Sequence, residues 1–202
     1  LFIFNNAGDM DFEKLVMQTR SYRRFDQSVT IEWGELERLV NLARSTASAA
    51  NRQPLKYLLF NSPEDCSSVF SSVMWAGYMP HWDGPAEGER PSAYIIITGD
   101  TAITKDFGVD PGIVAQTIML GATERGLGGC MIASFKKKEI RRFTQLNERF
   151  EILLVLALGR PAEKVTLEEV TDNNIKYWRD KEGVHHVPKR SIKEVILNHK
   201  DL

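Results

Sequence analysis

A helix with no polar face constrains this chain more than any other feature. Between Asp110-Pro111 and the glycines at 126 and 128, Ile113, Val114, Ile118, Met119 and Leu120 spread over every side of a predicted helix at 111–125. Asp110 stands at the N-cap of that prediction, and Pro111 suits the first helical position. An α-helix that is apolar all round has to be buried all round. Gly112, Ala115, Gly121 and Ala122 leave room for neighbours to approach it closely. One subunit of 202 residues would struggle to cover such a helix alone. A second copy is therefore predicted, in an obligate homodimer of the kind that buries about 2,000–5,000 Å².

Other elements can be placed around that helix. Phe12, Leu15, Val16 and Thr19 share one face over 11–18, and Leu36, Leu39, Val40 and Ala43 give the helical spacing of a stronger segment over 32–45. Strands are predicted at 57–60, 93–98, 130–133 and 152–158. Further helices are predicted at 64–73, opened by Pro63, at 136–143, and at 192–198, where Ser191-Ile192-Lys193-Glu194 forms a capping box. This irregular alternation favours an α+β sandwich over a doubly wound parallel sheet. Gly126-x-Gly128 follows a helix, precedes a strand and lacks a third glycine. It reads as a helix C-cap, not as a dinucleotide fingerprint.

Composition removes several classes of function. The 26 basic and 27 acidic residues nearly cancel, which argues against a general role on nucleic acid or at a membrane surface. No apolar run approaches the roughly 20 residues of a membrane span. Cys66 and Cys130 are far apart and need no pairing, as expected of a reduced, cytoplasmic protein. With His81, His185, His186 and His199 they match no ligand spacing, so no metal is expected. No nucleophile elbow is present. Residues 11–202 read as a single domain, while residues 1–10 stay open between a leader, a cloning remnant and an arm that docks on a partner.

The chemistry is carried by polar residues near the two ends of the helix at 32–45. Arg20-Ser21-Tyr22-Arg23-Arg24 brings three guanidiniums together beside Ser21. Ser48-Ala49-Ala50-Asn51-Arg52-Gln53-Pro54 is a polar loop of small residues. Lys189-Arg190 forms a basic knot before the last helix. Arg20, Arg23 and Lys189 or Arg190 are candidates to meet around one phosphate, because arginine forks match phosphate oxygens bidentately and lysine adds a point charge. Joined by Ser48, Asn51 and Gln53, they suit an enclosed ligand that carries both a phosphate and a heteroaromatic ring.

In chain order, RSYRRF, SAANRQP, GLGGCMIASF, ALGRP and PKRSIKEV resemble the motifs of the FMN-dependent nitroreductase family, over about residues 11–198. The resemblance implies an α+β fold, a nitroreductase-like α/β sandwich with a mainly antiparallel central sheet flanked by helices. It also implies an intertwined homodimer with FMN at the subunit interface. Cofactor contacts are implied for Arg20, Ser21 and Arg23, for Ser48, Asn51 and Gln53 reaching toward the other subunit's site, and for Lys189 and Arg190 on the phosphate. Ile132, Ala133 and Ser134 fall where the family's backbone lies near the reactive flavin N5. Thr19 and Ala47 depart from the pattern, which usually has an arginine and a proline there.

Kinship and electrostatics together give the expected function. It is an FMN-dependent oxidoreductase that passes electrons from NADH or NADPH, by a ping-pong mechanism, to a small nitro, quinone or enone acceptor. The flavin performs the chemistry and no catalytic side chain is needed. Arg23 is the candidate for a fixed cation beside the flavin N1–C2=O edge, where it would stabilise the reduced ring. The alternative is an FMN-binding storage or sensing protein with little turnover. Residues 77–91, rich in glycine and proline, form a long irregular stretch of the kind that often serves function. They are expected to make a lid in which Tyr78 or Trp82 stacks on the acceptor.

Overall fold

Two apolar runs become the central strands of one sheet. The computed structural model describes residues 11–198; the leader or arm at 1–10 and His199 lie outside them. Strand β3 (Ala93–Asp100) is buried at every residue, and β5 (Phe150–Pro161) runs beside it. The long β5 carries β3 along one edge, and β4 (Gly128–Ile132) and the two-residue β1 (Phe25–Asp26) along the other. β2 (Leu55–Phe60) pairs with the outer edge of β3. Every pairing in this five-stranded sheet is antiparallel.

Both faces of the sheet are covered, which explains why β3 reads as a continuous apolar run instead of an alternating one. Successive side chains still go to opposite layers. Ile95, Ile97, Leu156 and Leu158 pack under α2 (Trp33–Arg44) and α4 (Asp110–Glu124). Tyr94, Ile96, Val155 and Ala157 pack under α3 (Pro63–Ser72) and α5 (Lys137–Thr144). The expected α+β sandwich is the observed architecture, with α1 (Phe12–Gln18) lying against α4.

α4 differs from its prediction in three ways. Asp110 does not cap it. Val109 is the N-cap residue, and the Asp110 carboxylate turns to the 48–49 backbone and side chain instead. Gly112 meets no neighbour, whereas a Cβ at Gly121 would stand 2.7 Å from Leu42 Cδ1. Gly121 thus sets how closely α2 and α4 approach. One chain already covers much of α4, with Ile113 and Leu120 half-buried. Clusters of exposed apolar residues lie instead at Phe12 and Met17 on α1 and at Ile192, Val195, Ile196 and Leu197 near the C-terminal end. The glycine C-cap is as expected: Gly126 has φ +71°, and the Gly126 and Leu127 N–H groups donate back to Thr123 O and Ala122 O, both at 3.0 Å.

A second sheet has no counterpart in the predicted elements. β6 (Val165–Glu169) pairs in parallel with β8 (His185–Lys189), and β7 (Trp178–Arg179) pairs antiparallel on the far side of β8. Side-chain bonds brace it. His186 lies between Glu168 and Asp180, 3.1 Å from each, and stacks on Trp178 at 4.1 Å. The last helix, α6 (Ile192–Val195), keeps its capping box but stops after four residues. It buries none of its side chains, and short helices without packing are marginal. Both cysteines are free and buried. No helix among the described residues is long and apolar enough to cross a membrane.

Candidate functional site

The glycines after α4 build the site, a role their C-cap reading did not contain. Ser21 bridges to Gly129, and the Tyr22 N–H donates to the Gly129 carbonyl at 2.9 Å. A Cβ on Gly129 would collide with the Ala157 carbonyl, and one on Gly128 would stand 2.6 Å from the Tyr22 ring. Only glycine lets the 20–24 segment lie this close along β4. The result is that Arg23 reaches a cleft of about 150 Å³ at the end of β4, lined also by Trp75, Met131, Ala133, Ser134 and Tyr177. Ala133 and Ser134 are exposed there. Their N–H groups donate to no protein acceptor among the described residues.

The basic residues divide by partner. Arg24 pairs with Glu89 at 3.3 Å, and Arg190 pairs with Glu194 at 3.1 Å. Arg20, Arg23 and Lys189 make no ion pair among the described residues. The Arg20 Nε is buried without a partner, although its Nη2 donates to Val16 O at 2.6 Å. Arg23 Nη1 approaches Ser21 O at 3.3 Å and His185 Nε2 at 3.1 Å. A guanidinium only donates, so Nε2 accepts and the imidazole is neutral. Burial, with the Arg23 charge beside it, pushes His185 down to about 4. Below them the Glu163 carboxylate accepts from the Arg23 and Arg24 backbone N–H groups and holds Arg179 at 2.6 Å in a buried pair.

The Ser48 loop lies in a different place. It borders a separate cavity of about 190 Å³ that Tyr57 and Asp110 also line. Ser48 Oγ donates to Asp110 Oδ2 at 2.6 Å and accepts from the Gln53 N–H at 3.0 Å, while the Ala49 N–H donates to Asp110 Oδ1 at 3.0 Å. Gln53 Nε2 donates to Asn51 Oδ1 at 3.0 Å. Ala50, Asn51 and Gln53 all have left-handed backbones, with φ near +50°. Asp110 therefore anchors a loop that the chain alone would not favour. Ser48 is committed to that anchor, while Asn51 and Gln53 stay exposed.

The candidate residues meet only in part within one protomer. Arg23 shares its cleft with Ile132, Ala133 and Ser134. Lys189 sits four residues along β8 from His185, a span of roughly 13 Å at the usual rise, and no hydrogen bond among the described residues joins Lys189 or Arg190 to Arg20 or Arg23. Of the two lid candidates, Tyr78 is exposed. Trp82 is half-buried, edge-on to Trp75 at 6.5 Å and under the Arg179 guanidinium at 5.0 Å, and it lines a neighbouring cleft of about 270 Å³ with Met74 and Trp75. Sequence reasoning missed Tyr177, Glu163 and the buried role of His185. His185 was visible only as part of a basic knot, and Tyr177 and Glu163 carried no local signal.

A family model described as the nitroreductase family matches residues 16–76 and 89–160. Among curated proteins, YdgI of Bacillus subtilis strain 168, whose name is that of an NAD(P)H nitroreductase, is 21% identical over 188 residues, covering 76% of this chain and 90% of its own. A nitroreductase family protein of Clostridium difficile 630 superposes with a TM-score of 0.66 at 20% identity, over 94% of this chain and 99% of the other. A protein of Exiguobacterium sibiricum 255-15 crystallised in complex with FMN gives 0.66 at 19% identity, over 87% and 100%.

Proposed function

Because this chain belongs to the nitroreductase family, we propose that it is an FMN-dependent oxidoreductase that takes electrons from NADH or NADPH and passes them, by a ping-pong mechanism, to a nitro, quinone or enone acceptor. One observation carries the reading: Arg23, a guanidinium with no ion-pair partner among the described residues, and the unbonded backbone N–H groups of Ala133 and Ser134 line one glycine-built cleft. An FMN phosphate suits Arg20 and Lys189, and the ring edge suits the N–H donors of Ala133 and Ser134. Bound there, the flavin would supply the hydride chemistry. Arg23 would act as the fixed positive charge that favours a negatively charged reduced ring. Its accepting side-chain partner is the neutral His185, and the nearby Glu163 carboxylate is paired with Arg179 instead. Arg190 is the weaker phosphate candidate, being held by Glu194 and Asn173.

The homodimer belongs to the same proposal. Ser48 and Gln53 border one cavity, with Asn51 bonded to Gln53 at its edge, and Arg23 borders another, so a ligand that uses both sets needs a second copy of the chain. The exposed apolar residues of α1 and the C-terminal segment supply surface for it. A cytoplasmic setting accords with two buried, unpaired cysteines. The test is direct. Protein reconstituted with excess FMN and desalted should stay yellow, bleach anaerobically with NADH or NADPH, and recolour on adding a nitroaromatic, quinone or enone. Absence of flavin absorbance after desalting would sink the proposal.

A further inference from the structure

Two of the stretches outside the family match, 77–88 and 161–198, meet each other beside the cleft. The Tyr78 and Tyr177 rings lie 5.0 Å apart, and the Tyr78 N–H donates to the Tyr177 hydroxyl at 3.3 Å. Arg179 lies over Trp82. Tyr177 also carries the Arg23 guanidinium 4.6 Å from its ring centre, and lies 5.3 Å from the His185 ring that accepts from Arg23. A guanidinium on an aromatic face and on an imidazole nitrogen gives up most of its rotamer freedom. Glu163 holds the Arg23 backbone N–H, but the guanidinium makes no ion pair among the described residues, so these contacts aim it.

We propose that Tyr177 and His185 are positioning residues that fix the direction of Arg23, and that the Tyr177 hydroxyl ties the 77–91 loop to the same point. The cation that faces the cofactor and the loop that faces the acceptor are then held as one unit. The cofactor half of this rests on the flavin reading above, and the tether does not.

Full-length variants separate the parts. Tyr177→Phe keeps the ring and removes only the acceptor of the Tyr78 N–H. Amide exchange across residues 74–82, measured by mass spectrometry without flavin, should rise about 2- to 10-fold, while FMN affinity stays within about twofold. Tyr177→Leu also removes the ring, so FMN affinity should fall about 3- to 30-fold and the flavin midpoint potential should shift. His185→Gln retains an accepting atom and should recover most of what His185→Leu loses. Trp178→Ala is the control: it loosens the small sheet by losing its stack on His186 and its bond to Glu168, and it touches neither Arg23 nor the loop. Unchanged exchange in Tyr177→Phe overturns the tether. An effect of Trp178→Ala on FMN affinity as large as that of Tyr177→Leu overturns the positioning role. If the unsubstituted protein binds no FMN, positioning falls with the flavin reading, and the exchange measurement still decides the tether.

Discussion

Replacing Asp110 by alanine tests how the Ser48 loop is held. The carboxylate is almost fully buried and accepts two hydrogen bonds, from Ser48 Oγ at 2.6 Å and from the Ala49 N–H at 3.0 Å. Bonds to a charged group contribute about 1.5–3 kcal/mol each, so together they are worth about 3–6 kcal/mol. Some of this returns when the loop lets go. Ala50, Asn51 and Gln53 could leave the left-handed region, recovering roughly 1 kcal/mol apiece. The net expectation for Asp110→Ala is a loss of about 2 kcal/mol, seen as a urea midpoint lower by about 1 M for a slope near 2 kcal/mol/M. The loop itself should open, so trypsin should cut after the exposed Arg52 several-fold faster. Asp110→Asn should lose less, because its amide oxygen can still accept from Ala49 and its amine can donate to Ser48 Oγ. A midpoint within 0.2 M of the parent for Asp110→Ala, a difference of about 0.4 kcal/mol at that slope, would refute the argument, as would unchanged cleavage at Arg52.

Arg23→Ala should weaken FMN binding about 10- to 150-fold, the loss of one charge-assisted bond, while Arg24→Ala, whose guanidinium pairs with Glu89, should change it little; equal effects by fluorescence titration would mean the wrong arginine has been assigned. Trp82→Ala should lower the melting temperature, through lost contact with Trp75 and Arg179, more than it alters preference among acceptors. A shifted acceptor profile at unchanged stability would restore Trp82 to the lid. Burial holds the folded His185 at about 4, against 6.5 for the free side chain. The unfolded chain therefore binds the extra proton first, and stability falls as pH drops from about 6.5 toward 4, by at most about 3 kcal/mol. Urea midpoints of the parent and His185→Gln should diverge above pH 4 and keep a constant gap above pH 7; parallel curves throughout would contradict this. His186 runs the other way. Hydrogen bonding to Asp180 raises it, so its contribution is complete below about 6.5 and is lost as pH rises through its folded value. His186→Asn should remove that high-pH loss.

The layers were legible because their signals are one-dimensional. Consecutive isoleucines at 95–97 and the apolar run in β5 can only be strands covered on both faces, and α2 shows its buried face at Leu36, Leu39 and Ala43 by spacing alone. Half of the candidate site was legible for the same reason: arginines at 20 and 23 and a polar loop at 48–53 are local patterns. What failed was everything set by residues distant in sequence. Asp110 in a Val-Asp-Pro context looks like an N-cap, and only the fold shows that a loop sixty residues earlier takes its carboxylate. The small sheet was invisible because its strands are short and carry histidine, glutamate, lysine and proline among few apolar residues, and distant polar pairs such as His186 with Glu168 brace it.

His185 and His186 sharpen the point. They are neighbours on β8 and face opposite ways, as successive strand residues must. One is buried against Arg23 and Tyr177 and is kept neutral. The other sits between two carboxylates on the face of an indole and is drawn toward the charged form. No feature of the string His185-His186 tells which will take which role. That is decided by the parity of the strand and by Glu163, Glu168 and Asp180, which reach the pair from other turns of the chain. If the proposed role of Arg23 holds, the neutral member of the pair matters most for function. A charged imidazole 3.1 Å from that guanidinium would repel the group it now accepts from.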